Sequence, residues 1–196
     1  MGSTASGVPV RMVAMKKKAL LVIDIQDSFK IDPARWESRS NPSFEENVSK
    51  LIATFRGASL PVIFVLHTDG DPGFRPGDPE VRLMSFLDRR QGDALIVKSS
   101  RNAFTSTDLQ SRLEALGVEH VTICGISTEQ CCETTTRVAA DLGFTVDFVT
   151  EATATFPIAG LSTEALVERT EAVLRGRFAR IVTVDEVEQE LLAFAT

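Results

Sequence analysis

Residues 121–144, VTICGISTEQCCETTTRVAADLGF, constrain the fold more than any other stretch of the chain. The first four residues form a short, apolar and β-branched run, which is typical of a parallel strand covered on both faces. Gly125 interrupts this run, and residues 128–142 then form a predicted helix that ends at Gly143, a residue type common just past a helix C-terminus. A buried strand, a tight turn and a helix in this order predict one unit of an α/β sheet.

The turn within this unit carries a candidate nucleophile. Ser127 is a suitable helix N-cap, and Gln130 three residues later completes the pattern of a capping box. Cys131 then falls in the first turn, where unpaired N–H groups and the helix dipole favour a thiolate and could hold an oxyanion. Most free cysteines are small buried core residues, so this stretch alone leaves both interpretations open.

The rest of the chain repeats the alternation of strand and helix, with no internal repeat or linker. This pattern predicts a doubly wound parallel sheet with helices on both faces, a three-layer α/β/α arrangement. The predicted strands besides 121–124 are residues 19–23, 61–66, 94–97, 145–149 and 181–184. The predicted helices besides 128–142 are residues 44–58, 80–87, 108–116 and 162–174, with a last one capped by Asp185 and ending at Phe194. The predicted loops are residues 32–42, 70–79 and 151–157.

The length of 196 residues predicts one domain. Residues 1–15 are interpreted as a flexible leader, because their first part is rich in Gly, Ser and Ala, and residues 16–196 as a single domain. Three lysines followed by ALLVI resemble the start of a signal peptide, but the apolar run is short and is broken by Asp24. No stretch is long enough to span a membrane.

Composition excludes several classes of partner and site. The net charge of −6 disfavours nucleic-acid and anionic-membrane binding. Three cysteines, two of them adjacent, do not form a disulfide framework and suggest a reducing, cytoplasmic location. His67 and His120 are the chain's two histidines and lie far apart, so we expect no metal. No glycine-rich phosphate loop follows the first strand, which disfavours a dinucleotide cofactor. We therefore expect no cofactor.

Three chemically distinct residues each lie at the end of a predicted strand or shortly after it. Asp24 ends the first strand, Lys98 follows the third, and Cys131 follows the fourth. The carboxyl ends of parallel strands meet at one edge, where ligands bind in open α/β sheets. Asp24 would take the thiol proton and later protonate a leaving group, Lys98 would keep Asp24 ionised and support a thiolate, and Cys131 would attack a carbonyl. On this basis, removing either Asp24 or Lys98 should raise the thiol pKa.

His67 also stands at a strand end, after the second predicted strand. At that position it could contact a ligand. A hydrogen-bonded structural role is the preferred interpretation, because that is the commoner role of a lone histidine.

The segments around these residues resemble the isochorismatase-like cysteine hydrolases, a family that includes nicotinamidases and other amidohydrolases. They are ALLVIDIQDSF around Asp24, VKSSRNAF around Lys98 and GISTEQCCETTTRVAADLGF around Cys131, and the resemblance covers residues 18–184. It implies a six-stranded parallel sheet in the order 3-2-1-4-5-6 and a homo-oligomer, a dimer or a tetramer. It also implies that Asp24, Lys98 and Cys131 form a catalytic triad.

The resemblance implies further site features. A cis peptide bond would join Ile126 to Ser127, and the backbone amides of Ser127 and Cys131 would form the oxyanion hole. Phe29 and Phe104 match positions that often wall the substrate pocket. The substrate would be a small-molecule amide whose C–N bond is cleaved through a thioester acyl-enzyme.

Two departures from the family narrow this expectation. Metal-dependent nicotinamidases carry an Asp-x-His motif and a further histidine, and residues 32–70 show no such set. True isochorismatases, which cleave a vinyl ether, usually lack the cysteine, so Cys131 favours amide hydrolysis. The alternatives are a vinyl ether hydrolase in which Asp24 alone does acid chemistry, and a non-catalytic, redox-sensing member of the fold. Cys132 is interpreted as a core residue, and the sequence does not identify the substrate.

Overall fold

The structure, a computed structural model, describes residues 17–194. The expected leader, residues 1–15, lies outside the described residues. The described chain forms one six-stranded, parallel sheet in the order β3-β2-β1-β4-β5-β6, which confirms the predicted order. The strands are β1 Lys17–Ile23, β2 Val62–His67, β3 Ala94–Lys98, β4 Val118–Ile126, β5 Thr145–Ala154 and β6 Arg180–Ile181. Within residues 17–194, no helix combines the length and the apolar character needed to cross a membrane.

Helices cover both faces of the sheet, as the alternation of strand and helix predicts. The described helices are α1 Pro33–Glu37, α2 Phe44–Gly57, α3 Leu109–Ala115, α4 Glu133–Asp141, α5 Thr163–Leu174 and α6 Val184–Phe194. Alternate residues of β1 enter two separate apolar clusters. Leu20 and Val22 pack in the cluster that α2 and α6 cover, whereas Leu21 and Ile23 pack in the cluster that α3 and α4 cover. The central strand is therefore buried on both sides, which explains its continuous apolar sequence.

The predicted helix at residues 80–87 is wrong. This segment is irregular and runs beside the chain that follows β1. The amide of Asp27 donates to the Arg82 carbonyl at 3.0 Å, and the amide of Met84 donates to the Ile25 carbonyl at 3.1 Å. These long-range backbone hydrogen bonds replace the local bonds that a helix would make, so tertiary pairing overrides the helical spacing of its apolar residues.

The predicted loop at residues 32–42 is also wrong in part, because it contains the short helix α1. Asp32 caps this helix, and its carboxylate accepts hydrogen bonds from the amides of Ala34 at 3.0 Å and Arg35 at 3.2 Å. A proline occupies the first helical position, where its missing N–H costs nothing. The Asp-Pro pair is a helix-start signal that the sequence contains and that its irregular surroundings hid.

The strand at β5 is longer than predicted. It continues past residue 149 to Ala154, so the loop expected over residues 151–157 begins later. The extension pairs with the end of β4, where Gly125 lies beside Thr153 after an irregularity in the register. The extra length comes from this pairing with β4, for which the local sequence contains no signal.

The C-terminal end differs in two details. β6 consists of Arg180–Ile181 rather than residues 181–184. Thr183, not Asp185, caps α6: its hydroxyl accepts from the Glu186 amide at 3.1 Å, and the Glu186 carboxylate accepts from the Thr183 amide at 2.8 Å. This is a reciprocal capping box. The strand is short because that cap begins soon after it.

Candidate active site

Asp24 lies directly after β1, at the point where the strand order of the sheet reverses. Its backbone is left-handed, with φ of 52°, a conformation that aspartate tolerates better than most residues. Beside it, Gly125 of β4 has φ of 135°, and a Cβ atom there would lie 2.0 Å from the Ile23 carbonyl oxygen. Only glycine therefore lets β4 pass this close to the end of β1. The arrangement places a carboxylate where open α/β sheets bind ligands.

Lys98 contacts both of the other residues that were predicted for the site, Asp24 and Cys131. It is the last residue of β3, and its side chain is fully buried. Its ammonium Nζ lies 2.8 Å from Asp24 Oδ2 and 3.4 Å from Cys131 Sγ. It also donates to the Ser100 carbonyl at 3.1 Å and lies 3.1 Å from His67 Nδ1. The structure thus brings Asp24, Lys98 and Cys131 together around one ammonium group.

Cys131 lies in a wide, π-helical turn, Thr128–Cys132, that precedes α4. The Ser127 carbonyl accepts from the amides of Gln130 and Cys132, both at 3.1 Å. In a regular α-helix the amide of Cys131 would be the donor to this carbonyl. The wide turn instead pairs this carbonyl with the amides on either side of that of Cys131.

The expected capping box at Ser127 is wrong. The side chain of Ser127 makes no capping hydrogen bond, and the Gln130 side chain donates to the Glu129 carboxylate at 3.2 Å instead. A capping box needs a regular first turn, and the wide turn changes the positions of its N–H groups. A cis peptide bond joins Ile126 and Ser127, as the family resemblance implies.

The electrostatics of the site favour a protonated thiol at rest. Burial, which is the largest effect, and the Asp24 carboxylate together raise the pKa of Cys131 to about 12, although Lys98 acts to lower it. Lys98 therefore acts in the expected direction, but burial and the Asp24 charge outweigh its effect on the thiol pKa. Burial also raises the pKa of Asp24, against the opposing effect of the Lys98 ammonium.

The two predicted pocket residues lie in different apolar clusters. Phe29 packs edge-on to Phe74 with ring centres 5.2 Å apart, and stacks on Phe156 at 5.9 Å. Phe104 stacks on Phe144 at 6.0 Å and shares its cluster with Cys131. Phe104 is thus on the sulfur's side of the sheet, whereas Phe29 belongs to an aromatic group that also includes Phe74. Their role as substrate walls stays a prediction.

Sequence reasoning missed the close involvement of His67 and Gln26. His67 is the last residue of β2 and pairs in register with Lys98. The Gln26 side-chain amide binds both backbone groups of His67, accepting at 2.7 Å and donating at 3.0 Å. The available signal was that His67 and Lys98 both end adjacent strands.

His120 lies elsewhere, near the start of β4, with its Nε2 atom 2.7 Å from Asp147. The two histidines are therefore not neighbours. In the part of the chain that the structure describes, no three His, Cys, Asp or Glu side chains are grouped to hold a metal ion.

Comparisons with known proteins identify the family to which this chain is similar. The isochorismatase domain model matches residues 18–186. Nicotinamidase 3 of Arabidopsis thaliana is 34% identical over 192 residues, covering 90% of this chain and 90% of that protein. A streptothricin hydrolase of Streptomyces noursei is 29% identical over 173 residues, which cover 87% of this chain and 61% of that protein.

The fold agrees with these sequence matches. A solved structure of an isochorismatase-family protein from Chromobacterium violaceum ATCC 12472 superposes with a TM-score of 0.85 at 28% identity, covering 96% of this chain and all of that one. The family match spans most of the sequence and includes all three residues around the buried ammonium. The chain therefore belongs to the isochorismatase family and is a hydrolase of that family.

Proposed function

We propose that this protein hydrolyses the C–N bond of a small-molecule amide through a thioester on Cys131. The observation that carries the proposal is the position of the Lys98 ammonium, 2.8 Å from the Asp24 carboxylate and 3.4 Å from the Cys131 sulfur. A carboxylate, a cation and a thiol at these distances can share one acyl transfer.

In the first half of the proposed reaction, Cys131 Sγ attacks the amide carbonyl while its proton passes to Asp24. The negative charge that develops on the carbonyl oxygen is stabilised by the backbone amides of Ser127 and Cys131. Collapse of the tetrahedral intermediate breaks the C–N bond. The departing nitrogen takes the proton from Asp24, which leaves a thioester on the sulfur and an ionised carboxylate.

In the second half, water attacks the thioester carbonyl and gives a proton to Asp24. The C–S bond then breaks, and the proton returns to the sulfur as the carboxylic acid leaves. Asp24 must act as a base in one step and as an acid in the next. A carboxyl whose pKa is raised by burial suits both tasks, because its affinity for the proton is closer to those of the groups it serves.

The choice of an amide over a vinyl ether has two supports. Cys131 lies in contact with Lys98, and vinyl ether cleavage needs an acid but no nucleophilic sulfur. The Arabidopsis relative is named for the amide nicotinamide. The aromatic group at Phe29 and the side chain of Phe104 are proposed to contact the substrate. A non-catalytic, redox-sensing role would not require the contact between Lys98 and the Cys131 sulfur.

A substrate panel tests the proposal. Small amides, nicotinamide among them, are incubated with the protein and the release of ammonia or amine is measured, with isochorismate as the vinyl ether alternative. We expect release from at least one amide, a mass increase on Cys131 from the acyl group, and no turnover by Cys131→Ala. Turnover of isochorismate alone, or full amide turnover by Cys131→Ala, would refute the thioester mechanism.

A further inference from the structure

His67 is buried and hydrogen-bonded through both its backbone and its ring. It is 3% exposed. The Gln26 side chain accepts a hydrogen bond from the backbone N–H of His67 at 2.7 Å and donates one to its backbone carbonyl at 3.0 Å. Gln26 stands two positions after Asp24, and β2 pairs with β3 so that His67 lies beside Lys98. The backbone of His67 is therefore fixed beside Asp24 and Lys98, and its ring nitrogens contact Lys98 and Asp69.

The contact between His67 and Lys98 has one chemically permitted direction when the lysine is charged. An ammonium group has three donors and no acceptor, so the imidazole Nδ1 atom, 3.1 Å away, can only accept in this contact. The three donors then serve the nearest acceptors, which are Asp24, the Ser100 carbonyl and Nδ1, while the Cys131 sulfur lies farther away at 3.4 Å. We propose that His67 is a positioning residue that accepts this bond and so holds the Lys98 ammonium between Asp24 and Cys131. The proposal rests on the proposed function, because it concerns a residue of the same site.

This hydrogen bond determines where the imidazole carries its proton. Burial is the main cause that lowers the pKa of His67, and the Lys98 charge lowers it further, so the ring is neutral. With Nδ1 as the acceptor, the single proton is on Nε2. Asp69 Oδ2 lies 3.0 Å from Nε2 and accepts from it. Asp69 is fixed in turn by the Asp71 amide, which donates to its other oxygen at 2.9 Å.

The charges that face the ring come from several elements. Asp24 and Asp69 raise the pKa of His67, whereas Lys98 and Arg101 lower it. Arg101 Nη1 lies 2.7 Å from His67 Nε2 and 3.4 Å from Asp69 Oδ2. With the proton on Nε2, the guanidinium cannot donate to that nitrogen, so its 2.7 Å approach to the ring must lengthen and its ion pair with Asp69 holds it instead.

The opposite tautomer would let Nε2 accept from Arg101. Its Nδ1 proton would then point at the protons of the Lys98 ammonium, which is compatible only with a neutral lysine amine. The position of the His67 proton therefore reports the charge state of Lys98. A tautomer with its proton on Nε2 is the signature of the proposed role.

The first test reads that tautomer directly. Long-range proton–nitrogen NMR correlations distinguish protonated from unprotonated ring nitrogens, and the chain has just two histidines. The signals that disappear in His67→Asn identify His67. In the full wild-type chain at neutral pH, we expect a protonated Nε2 and an unprotonated Nδ1. A proton on Nδ1, alone or in an imidazolium, would overturn the proposal, whatever the substrate is.

The second test uses a pair of variants that keep different halves of the ring's function. The side-chain oxygen of His67→Asn can occupy the place of Nδ1, whereas the longer amide of His67→Gln reaches toward Nε2 and leaves Lys98 without this acceptor. We expect His67→Gln to lower kcat about 10- to 100-fold, the size of one hydrogen bond to a charged group, with little change in KM. His67→Asn should restore most of that loss.

Two outcomes contradict the positioning role. They are an equal loss of kcat in both variants and full activity in His67→Gln. Should no amide be turned over, the proposed function fails, but alkylation of Cys131 across a pH series still judges this proposal. The thiol pKa should be higher in His67→Gln than in wild type, because a displaced ammonium stabilises the thiolate less. An unchanged thiol pKa in a folded His67→Gln chain would overturn it.

Discussion

Cys131 and Cys132 are adjacent in sequence but have different environments. The sulfur of Cys131 contacts Lys98 and is 5% exposed, whereas Cys132 is fully buried in the apolar cluster. We predict that Cys131→Ala loses essentially all hydrolysis, while Cys132→Ala keeps most of it and loses about 1–2 kcal/mol of stability from the cavity. Steady-state rates and urea unfolding of both variants provide the measurement. Equal loss of activity in the two variants would contradict the assignment of the nucleophile.

Asp24 and Lys98 act on the Cys131 thiol with opposite signs. The Asp24 charge raises the thiol pKa and the Lys98 charge lowers it. Asp24→Asn should therefore lower the thiol pKa, and Lys98→Met should raise it. The sequence-based expectation that both changes would raise it is wrong for Asp24, because it counted the carboxylate as a base and omitted its repulsion of a thiolate.

Both changes should nevertheless slow the reaction. Asp24→Asn removes the proton acceptor, so we predict a fall in kcat of about 10²–10⁴-fold even though its thiol ionises more easily. Alkylation rates of Cys131 against pH give the thiol pKa in wild type and in each variant. Thiol pKa values that move in the same direction in both variants would show that the charges do not act on the sulfur as the geometry implies.

The three residues at the centre of the site could be predicted because each follows a strand. Parallel strands bring their carboxyl ends to one edge, so position in sequence translates into proximity. His67 also ends a strand, but its contact with Lys98 could not be predicted from that position alone. This contact depends on the register of β2 against β3 and on the hydrogen bonds between Gln26 and the His67 backbone. Both are tertiary interactions that the local sequence does not determine.

At the scale of elements, the close approach of β4 to the end of β1 depends on Gly125. A methyl group there would lie 2.0 Å from the Ile23 carbonyl oxygen, and φ of 135° is unsuited to any other residue. We predict that Gly125→Ala destabilises the protein by at least about 3 kcal/mol and abolishes activity. Gly57→Ala is the matched control, since nothing lies within 4 Å of its Cβ position.

The control should change stability by less than about 1 kcal/mol, in the stabilising direction, because alanine restricts the unfolded chain. Urea unfolding of the two alanine variants decides the matter. A Gly125→Ala chain as stable as Gly57→Ala would mean that β4 can move away from β1 at little cost.

Helix ends were harder to predict than helices. Ser127 and Asp185 are good capping residues by type, but neither caps its helix. The turn at Cys131 is wide, and Thr183 lies two residues before Asp185 with Glu186 at the matching position. Caps depend on the first turn's geometry to within one residue, whereas apolar spacing tolerates such shifts.

At the scale of the molecule, the alternation of strands and helices predicted a doubly wound parallel sheet, whereas the order of its strands came from the family resemblance. The two-sided burial of β1 agrees with a central position in that order. The expected dimer or tetramer stays a prediction, because it depends on surfaces between chains. The helix expected at residues 80–87 failed for a related reason: its partners are remote in sequence, near Ile25 and Asp27.

A buried ion cluster joins distant parts of the chain near the start of the strands. Asp147 of β5 is fully buried and contacts Lys18 of β1 at 3.2 Å, His120 of β4 at 2.7 Å and Arg180 of β6 at 2.8 Å. Lys18 and Arg180 also bind Glu190 of α6, each at 2.7 Å. One carboxylate therefore connects four strands, and the cluster extends to the last helix.

This cluster should govern stability toward acid. Burial alone would raise the pKa of Asp147, but hydrogen bonds from His120 and Arg180 outweigh it and hold that pKa well below the ordinary value of 3.8. A folded-state pKa below the unfolded one gives stability that is fully present above the unfolded pKa and is lost as pH falls below it. We predict that the wild type loses on the order of 2 kcal/mol from this group between about pH 5 and about pH 2.

Asp147→Asn should be less stable at neutral pH, because the buried Lys18 and its neighbour Arg180 each lose one of their two carboxylate partners, and its stability should fall less steeply in acid. Asp108→Asn is the control, since the side chains of Asp108 and its partner Arg112 are 58% and 48% exposed. Surface pairs of this kind contribute little to stability, so the control should keep the wild-type acid profile. Urea unfolding of all three proteins at a series of pH values gives the slopes. If Asp147→Asn and the wild type have the same slope, acid stability depends on other carboxylates, and the cluster's role is to hold the strands together without setting the pH range.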